Sequence, residues 1–360
     1  MSTSNFDNVR VVNNVRVEGI ACSMPEKVVE VSDLADKFGK ENIQKIMAST
    51  GVFRRHVVDN ECSSDLCVAA AERLISDLSV DRSSIDTLIF VSQTHDHTLP
   101  ATACILQERL NLPVSVAAFD VALGCSGYVY GLWLASSLIS GGGSRRVLLL
   151  VGDTISKMVS DEDRSVAALF GDAGSATLLR YDDSAQPISF ALGTDGRGAK
   201  NLIVPAGAFR DRNGSRSEVS EPEARGPFDL FMNGAEIFAF TLARVPALVK
   251  ALHESRSDLG AGIDHYVFHQ ANKFMLEHLA KRMKLPREKV LLDLENVGNT
   301  SCTSIPLALS LADLKKHNRV TGLMMLAGFG VGYSWAGCII DFKNVWVSQM
   351  SYTSVSKDPV

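Results

Sequence analysis

The segment IDTLIF at residues 85–90 has a counterpart, IDHYVF, at residues 263–268, and each is typical of a short apolar β-strand. Further echoes follow in the same order and at nearly the same offset: FDVALGC (119–125) with LDLENVGN (292–299), VLLLV (147–151) with GLMMLA (322–327), and GDAGSATLL with GVGYSWAGCII. A series of this kind indicates an ancestral duplication. We therefore expect two similar halves that meet near residue 185.

Strands alternate with helices inside the first half. Apolar, β-branched segments predict strands at these positions: 85–92, 114–121, 147–152 and 174–180. Helical patterns lie between them, and the helix expected at 65–78 has Ser63 and Ser64 as candidate N-caps. This alternation is typical of an α/β fold in which helices cover both faces of a parallel or mixed sheet.

The repeat also predicts the domain limits. Residues 1–185 are expected to form the first half, residues 186–347 the second, and residues 348–360 a polar tail. The segment 193–228 is rich in glycine, proline, serine and charged residues. That composition predicts either a solvated connection or a flap over an active site.

The composition excludes several classes of protein. The chain has 360 residues, 46% hydrophobic and 21% charged, so disordered, collagen-like and coiled-coil structures are not expected. A net charge of −5 gives no basic field that would attract nucleic acid. Seven scattered cysteines without a CxxC pair predict reduced thiols and neither a disulfide framework nor a structural zinc. Because no signal peptide or apolar run of about 20 residues is present, a soluble cytoplasmic protein without a membrane span is expected.

Three reactive side chains fall where strands are predicted to end. Cys125 lies in the turn ALGCSG directly before a helix, whose N-terminus favours a thiolate. His269 follows an apolar strand in VFHQAN, and Asn299 lies in NVGNTS, which the repeat pairs with the Cys125 turn. These side chains are expected to converge, because open α/β sheets bind ligands at the carboxyl ends of strands. The segment GFGVGY at 328–333 can direct backbone N–H groups at an oxyanion.

Each of these residues also has an ordinary structural interpretation. A cysteine is most often a small buried hydrophobe, which is the interpretation we keep for Cys302. A histidine such as His269 at a strand end is commonly a hydrogen-bonded surface residue. Asparagine at the position of Asn299 is commonly a helix cap or turn residue, and 328–333 is also compatible with a closely packed turn.

At these residues the sequence resembles the β-ketoacyl-acyl-carrier-protein synthase III enzymes of the thiolase superfamily. The resemblance extends from about residue 15 to 342 and rests on seven blocks in the family order: STGVFRRH (49–56), DVALGCSG (120–127), DR with FGDAGSA (163–176), FMNGAEIF (231–238), HQAN (269–272), GNTS (298–301) and GFGVGYSW (328–335). It implies a thiolase-like α/β fold with two pseudo-symmetric βαβ-containing halves in a five-layered α-β-α-β-α architecture.

The resemblance further implies an acyltransferase of fatty acid biosynthesis. Cys125 would take an acyl group from a thioester of coenzyme A or acyl-carrier protein. A malonyl-type thioester would then lose carbon dioxide and attack that acyl group, a decarboxylative Claisen condensation that gives a 3-oxoacyl thioester. His269 and Asn299 would stabilise the enolate, and the backbone N–H groups of Cys125 and Val331 would form the oxyanion hole.

The loop 93–100 has a counterpart in the family that crosses a dimer interface and closes the partner's acyl pocket. A homodimer is therefore expected, with Leu99 at a gating position that is usually aromatic. A polar loop with solvated histidines is the alternative. His95 and His97 flank Asp96 without a third ligand nearby, so neither a metal nor another cofactor is expected.

The resemblance implies a modified site for the acyl carrier. Arg164 retains one side of the family's adenine clamp, but Lys45 and Ser49 stand where an aromatic and a basic residue are usual. An acidic carrier protein, more than coenzyme A, is therefore the expected carrier, docking on the helix 272–284. The other residues assigned to substrate or carrier binding are Asn233, Asn272, Lys273, Lys281, Arg282 and, at the end of the helix, Lys284. The alternative is an ordinary solvated helix face.

Other activities fit these residues less well. Papain-like proteases share the order Cys, His, Asn but need a tryptophan-bearing motif that is absent, and thiolases need a second cysteine in the terminal Gly-rich loop. Chalcone-synthase-like enzymes differ after GFG, and a scaffold protein would be expected to have lost one of the three side chains. The main alternative is a relative that transfers an acyl group from a thioester to an alcohol, amine or sugar without condensation.

Overall fold

The computed structural model describes residues 9–215, 225–256 and 262–353. Its strands are β1 (Arg10–Val12), β2 (Val15–Pro25), β3 (Val28–Glu30), β4 (Arg54–His56), β5 (Thr87–Ser92), β6 (Ala117–Ala122), β7 (Arg146–Asp153), β8 (Ala173–Tyr181), β9 (Ile188–Thr194), β10 (Leu202–Ile203), β11 (Phe231–Met232), β12 (His265–Phe268), β13 (Arg319–Gly330), β14 (Ser334–Val347) and β15 (Ser351–Thr353). Its α-helices are α1 (Ala35–Phe38), α2 (Lys40–Thr50), α3 (Ser63–Leu78), α4 (Thr102–Arg109), α5 (Gly127–Ser140), α6 (Gly234–Ser255), α7 (Lys273–Met283) and α8 (Ser304–Leu311).

The strands form the same pattern twice. In the first half, β8 pairs antiparallel with β2 and with β7, β7 runs parallel to β5, and β5 runs parallel to β6. In the second half, β14 pairs antiparallel with β9 and with β13, and β13 runs parallel to β12. A short parallel contact between the end of β14 and β2 joins both patterns in one sheet. The fold therefore contains the repeat that the sequence indicates.

One of the predicted echoes is not a strand in both halves. The segment 119–125 contains most of β6, whereas residues 292–299 form no strand. A single parallel bridge between Tyr266 and Val290 occupies the corresponding edge, and the Leu291 N–H donates to the Tyr266 carbonyl at 3.0 Å. In the second half, β12 is therefore joined on this side by a single bridge, where the first half has the full strand β6.

The alternating side chains of the strands contribute to three hydrophobic cores, and the helices and sheets around these cores form five layers. Successive side chains of a strand point to opposite faces, so Leu88 and Phe90 pack with α3 and α4 while Ile89 and Val91 face α5. On the far side of the second half, β13 and β14 pack against α6 and α7. Helices α5 and α8 each contact strands of both halves and form the middle layer. This is the thiolase-like α-β-α-β-α architecture that the resemblance implies.

The elements predicted for the first half are present with shifted ends. Strand β6 begins at Ala117 and not at residue 114, because Val114 is 97% exposed in the preceding turn. The predicted helix at 65–78 is α3, but the assignment of Ser63 and Ser64 as caps is wrong, since both are buried residues of its first turn. The N-cap is Cys62, whose N–H donates to the carboxylate of Asp65 at 2.7 Å.

The segment 193–228 is not a simple solvated connection. Strand β10 pairs antiparallel with β11. This pairing places Leu202 and Ile203 on the wall of a cavity that also contains Cys125. Residues 216–224 of the segment lie outside the described residues. The described part thus contributes lining residues to the candidate site.

The C-terminal segment is also more ordered than a polar tail. Strand β15 pairs parallel with β2 at Ser23–Pro25, so the sheet continues to Thr353. Residues 354–360 of the predicted tail lie outside the described residues. Within the described ranges, none of the helices has the length and apolar character needed to cross a membrane.

Candidate active site

Cys125 lies in a tight turn at the start of the buried helix α5. The Gly127 N–H donates to the Gly124 carbonyl at 2.6 Å, which closes the turn. The end of β13 covers it closely, because a Cβ atom on Gly330 would lie only 2.9 Å from the Cys125 sulfur. Glycine at this position therefore allows the Gly-rich segment to approach the sulfur, and Cys125 remains only 7% exposed.

Burial raises the pKa of the Cys125 thiol to about 11. Hydrogen bonds from Ser301 and from the backbone N–H groups of Val331 and Cys125 favour the thiolate but are outweighed by desolvation. Burial thus outweighs the groups that favour the thiolate at this turn. Both backbone N–H groups interact with the sulfur, and their role as an oxyanion hole stays a prediction.

His269 follows β12 and is held as a neutral imidazole. Its ring Nδ1 lies 2.7 Å from the Ser304 hydroxyl, and its edge packs on Phe329 at a centroid distance of 5.7 Å. Only 2% of the residue is exposed, and this burial lowers the pKa of His269 from its ordinary value of 6.5 to about 4. A histidine in this state is neutral at pH 7, so it can share a hydrogen bond without adding charge. The surface interpretation of His269 is therefore wrong.

The amide of Asn299 has a defined orientation. Its backbone forms a bridge with Phe170, and its side-chain Oδ1 accepts a hydrogen bond from the Ser301 N–H at 2.9 Å. Since a backbone N–H must meet an acceptor, Nδ2 occupies the other position of the amide, where it donates to the Ala271 carbonyl at 3.4 Å. Ala271 follows His269 by two residues, so the donor group of Asn299 lies close to the histidine segment.

Ser301 connects the three predicted catalytic residues, and no pattern in the sequence pointed to this role. Its hydroxyl lies 4.0 Å from the Cys125 sulfur, its N–H binds Asn299, and its backbone hydrogen-bonds the imidazole of His269. Ser301 has a φ of 52°, a left-handed conformation that non-glycine residues rarely adopt. The Cys, His and Asn residues are thus gathered around one strained backbone position.

A buried carboxylate supports the site from behind. Asp153 is fully buried and accepts hydrogen bonds from the Gln93 N–H at 2.8 Å and from the Cys302 thiol at 3.0 Å. Burial raises the pKa of Asp153. Gln93 in turn donates from Nε2 to the Ser301 hydroxyl at 3.0 Å. Cys302 is thus buried in the central core as expected, and it also anchors this network.

An apolar cavity of about 220 Å³ extends from the sulfur of Cys125. Its lining is mostly aliphatic and aromatic: Ile155, Met158, Phe170, Leu202, Ile203, Val204, Leu230 and Val331, with Gln93 and Ser301 as polar members. Such a cavity suits the hydrocarbon part of an acyl group bonded to Cys125.

The residues of the expected adenine clamp lie on the surface. Arg164 is exposed, and Lys45 and Ser49 are exposed on α2. Lys45 forms an ion pair with Glu41 at 2.7 Å, and the Ser49 hydroxyl donates to the Ile46 carbonyl. None of these three positions supplies an aromatic side chain. These residues therefore do not replace the aromatic half of the adenine clamp.

Two of the predicted binding residues cap helices. The Oδ1 atoms of Asn233 and Asn272 accept from the N–H groups of Glu236 and Met275, at the N-termini of α6 and α7. These bonds leave the Nδ2 donors of both asparagines without a hydrogen bond to the described residues. Their assignment to substrate binding stays a prediction.

The predicted docking helix is α7, with Lys284 as its C-cap. Lys281, Arg282 and Lys284 are exposed, and Lys273 is half-buried against Gly51. Among the described residues, none of these four cations forms an ion pair with an acidic side chain. They are therefore available to an acidic surface.

Loop 93–100 places Leu99 away from this chain's own cavity. Leu99 is 79% exposed and does not line the Cys125 pocket, and its predicted place in a partner's pocket stays a prediction. His95 lies 3.9 Å from the carboxylate of Asp120. Over the described ranges, no group of three His, Cys, Asp or Glu side chains is placed to hold a metal ion.

Comparison with known proteins assigns the site to a family. The model of 3-oxoacyl-[acyl-carrier-protein] synthase III matches residues 119–196, which include Cys125. The model of the C-terminal part of the same family matches residues 259–342, which include His269 and Asn299. The first match begins in the predicted first half and continues past residue 185 to residue 196, and the second match lies within the predicted second half.

Relatives of nearly equal length carry the name of the same family. The β-ketoacyl-[acyl-carrier-protein] synthase III of Caldanaerobacter subterraneus is 34% identical over 328 residues, covering 90% of this chain and 97% of the relative. That of Coxiella burnetii strain CbuK_Q154 is 33% identical, covering 90% and 98%. The crystal structure of the 3-oxoacyl-(acyl-carrier protein) synthase of Burkholderia xenovorans LB400 is 41% identical with a TM-score of 0.91, covering 96% and 99%.

The fold and these relatives define a thiolase-like acyltransferase. The chain belongs to the β-ketoacyl-[acyl-carrier-protein] synthase III family. Its reaction is accordingly the decarboxylative Claisen condensation that gives a 3-oxoacyl thioester, and transfer to an alcohol, amine or sugar is not favoured.

Proposed function

We propose that Cys125, His269 and Asn299 divide the condensation into two stages around Ser301. The observation that carries this proposal is the meeting of all three residues at Ser301, beside an apolar cavity that opens at the Cys125 sulfur. Cys125 forms the covalent acyl-enzyme, while His269 and Asn299 act on the second thioester. Dividing the reaction in this way replaces one difficult bond formation by two easier steps.

In the first stage the Cys125 sulfur attacks the carbonyl carbon of an acyl thioester. The thiol loses its proton as the carbon–sulfur bond forms, and the carrier thiolate that leaves takes up a proton. The N–H groups of Cys125 and Val331, which interact with the sulfur, are the donors that hold the oxyanion of the tetrahedral intermediate in this proposal. Since Val331 acts through its backbone, a side chain is compatible with this role.

In the second stage a malonyl-type thioester binds with its carbonyl oxygen facing His269 and Asn299. The carbon–carbon bond to the free carboxylate breaks, carbon dioxide leaves, and the electron pair is held as an enolate. Neutral imidazole and Asn299 Nδ2 donate to the enolate oxygen, and the carbanion attacks the acyl carbonyl on Cys125. The Cys125 thiolate is released. The thioester supplies the activation, so the proposal includes no metal or redox cofactor.

We propose an acyl-carrier protein as the principal carrier, docking on α7. Lys281, Arg282 and Lys284 present unpaired positive charge over the last turn of this helix. Lys281 lies eight residues, or about 12 Å along the axis, from the N-terminal turn that follows the His269 segment. A carrier held by these cations can therefore extend its thioester arm along α7 toward the site. The surface-exposed Lys45, paired with Glu41, offers no stacking surface to a coenzyme A adenine.

We further propose a homodimer that functions in the cytoplasm in fatty acid biosynthesis. Strand β6 lies at the edge of the sheet with β5 as its neighbour, and Val114 and Leu99 nearby are 97% and 79% exposed. Pairing through this edge would cover both apolar side chains. Light scattering at micromolar concentration is expected to give twice 38.9 kDa, and a mass of 38.9 kDa would contradict the dimer.

Intact-protein mass spectrometry of three variants tests the two-stage assignment. Cys125→Ala is expected to take up no acyl group from an acyl thioester, because the attacking sulfur is absent. His269→Ala and Asn299→Ala are expected to load the acyl group and to form no 3-oxoacyl product, because only the enolate depends on them. Acyl uptake by Cys125→Ala would show that the nucleophile is a different residue.

A further inference from the structure

Asp153, the last residue of β7, is a carboxylate that neither stage of the condensation uses. It is fully buried, and its oxygens accept hydrogen bonds from the Gln93 N–H at 2.8 Å, the Ser92 hydroxyl at 3.1 Å and the Cys302 thiol at 3.0 Å. These donors are neutral, and among the described residues Asp153 forms no ion pair. A buried carboxylate without a cation is costly to keep ionised. A group of this kind beside a reactive side chain calls for a functional explanation.

The hydroxyl of Ser301 connects this carboxylate with the nucleophile. It hydrogen-bonds the Asp153 carboxylate and lies 4.0 Å from the Cys125 sulfur. Gln93 Nε2 donates to the same hydroxyl oxygen at 3.0 Å. A hydroxyl group has one proton to donate and two lone pairs that accept. Since Gln93 occupies one lone pair and Asp153 receives the proton, the second lone pair is free to accept the Cys125 S–H.

The Cys125 thiol needs a proton acceptor near neutral pH. Because its pKa is about 11, only about one thiol in 10⁴ is ionised at pH 7. Among the described residues, no hydrogen bond joins His269 to the Cys125 sulfur, and the His269 Nδ1 faces the Ser304 hydroxyl at 2.7 Å. Burial raises the pKa of Asp153, which makes this carboxylate a stronger proton acceptor than an exposed one. Asp153 is therefore the base that hydrogen bonds connect to the sulfur.

We propose that Asp153 accepts the proton of Cys125 through the Ser301 hydroxyl as the acyl-enzyme forms. The proposal rests on the proposed acyl-enzyme and goes beyond it. As the sulfur bonds to the acyl carbon, the S–H proton moves to the Ser301 oxygen and the Ser301 proton moves to Asp153. The proton returns along the same chain to the carrier thiolate that leaves, and Asp153 is again a carboxylate. The 4.0 Å contact between Ser301 and the sulfur shortens in the complex with substrate, as catalytic hydrogen bonds commonly do.

The titratable groups that interact electrostatically with Asp153 are thiols: Cys125 before α5, Cys302 after Ser301 and Cys67 on α3. Burial raises the pKa of Cys67 and of Cys302 well above the ordinary value of a thiol, so both stay neutral up to pH 10. Asp153 does not line the Cys125 cavity, so it reaches the reaction only through Ser301. A change of acyl loading between pH 7 and pH 10 therefore reports on the chain from Cys125 to Asp153.

The test measures single-turnover acyl loading of the full-length protein from butyryl and hexanoyl pantetheine thioesters by intact mass, between pH 7 and pH 10. Asp153→Asn keeps the size of the side chain and an acceptor for the Gln93 N–H, but it cannot take up a proton. Its loading at pH 7 is expected to be at least about tenfold slower than that of the parent. The loss should shrink toward pH 10, where about a tenth of the Cys125 thiols ionise without a base. Ser301→Ala breaks the chain and should show the same dependence on pH. Asp172→Asn changes an equally buried carboxyl outside the chain and should show no loss that depends on pH.

Each other outcome overturns a defined part of this account. Equal or faster loading by Asp153→Asn at pH 7 would overturn the proton transfer, because the carboxylate would then act on Cys125 only through its charge, which raises the pKa of the thiol. A loss of the same size at every pH would also overturn it, since Asp153 would then be structural. If Asp153→Asn does not fold, the pH dependence of Ser301→Ala decides in the same way. A parent protein that takes up neither acyl group at Cys125 overturns the proposed acyl-enzyme instead.

Discussion

The substitution Asn299→Asp separates the roles of the acceptor and the donor of this amide. The Ser301 N–H donates to Oδ1 at 2.9 Å, and a carboxylate preserves that bond. The second oxygen replaces Nδ2, the donor that the mechanism directs at the enolate, and stands about where Nδ2 is now, 3.4 Å from the Ala271 carbonyl. The variant therefore keeps the shape of the site and removes its donor.

The expected loss is large and confined to condensation. Removing one preorganised donor from an oxyanion typically costs about 2.7–4 kcal/mol, so the condensation rate should fall by about 10²–10³-fold. A negative charge beside the enolate can only add to this loss. Acyl loading of Cys125 should remain within about threefold of the parent, because the contact of Ser301 with the sulfur is preserved.

The assay measures both stages on the same preparation. Loading is followed by intact mass with an acyl thioester, and condensation by product formation after a malonyl thioester is added. The exposed Asn60 supplies a matched control, Asn60→Asp, which adds the same charge at the surface and should leave both rates unchanged. Full malonyl-dependent turnover by Asn299→Asp would refute the donor role and leave Asn299 a structural residue.

Three further predictions concern the surrounding groups. Ser301→Ala should slow acyl loading about tenfold in single-turnover mass measurements, because the hydroxyl that favours the Cys125 thiolate is lost; an unchanged rate would contradict this role. Acyl loading should accelerate as pH rises toward about 11, the pKa of Cys125, and a flat profile above pH 7 would show that the thiol ionises earlier. Lys281→Glu with Arg282→Glu should lower kcat/KM for carrier-bound substrate strongly at low salt and weakly at high salt, with little effect on a pantetheine thioester; equal activity on the carrier-bound substrate at low salt would refute docking there.

Burial of His269 also makes a prediction about stability. Its folded-state pKa lies at about 4, below the ordinary value of 6.5 that applies in the unfolded chain. The unfolded state therefore binds this proton first, and stability is lost as pH falls from about 6.5 to about 4, by at most about 3 kcal/mol. In urea titrations, His269→Gln should lose less stability than the parent over this range. An identical loss in both proteins would show that His269 does not contribute.

The repeat in the sequence predicted the architecture because three of the four echoes are patterns of buried strand residues. Leu88 and Val91 belong to different cores, which is the alternation that a strand covered on both faces requires. The echo at 292–299 did not predict a strand correctly, since the edge there is fixed by one bridge at Val290. Apolar pattern alone does not distinguish a ladder from a single bridge.

The reactive residues could be predicted from their local turns. The groups that contact them in the folded structure could not. Cys125 could be selected because small residues precede a helix, yet the pKa of its thiol is set by burial that only the packed structure supplies. Ser301 contacts residues far away in the chain, and its φ of 52° has no signature in the letters GNTS. Gln93 is held by Asp153, a residue of a neighbouring strand that is distant in the sequence.

The central claim is that Cys125, His269 and Asn299 form a carbon–carbon bond by decarboxylation. The most direct test loads the protein with an acyl group and then adds a malonyl thioester labelled in its free carboxyl carbon. One labelled carbon dioxide should be released for each acyl group that leaves Cys125, together with one 3-oxoacyl thioester. Departure of the acyl group to an added alcohol, amine or sugar, without labelled carbon dioxide, would contradict the account.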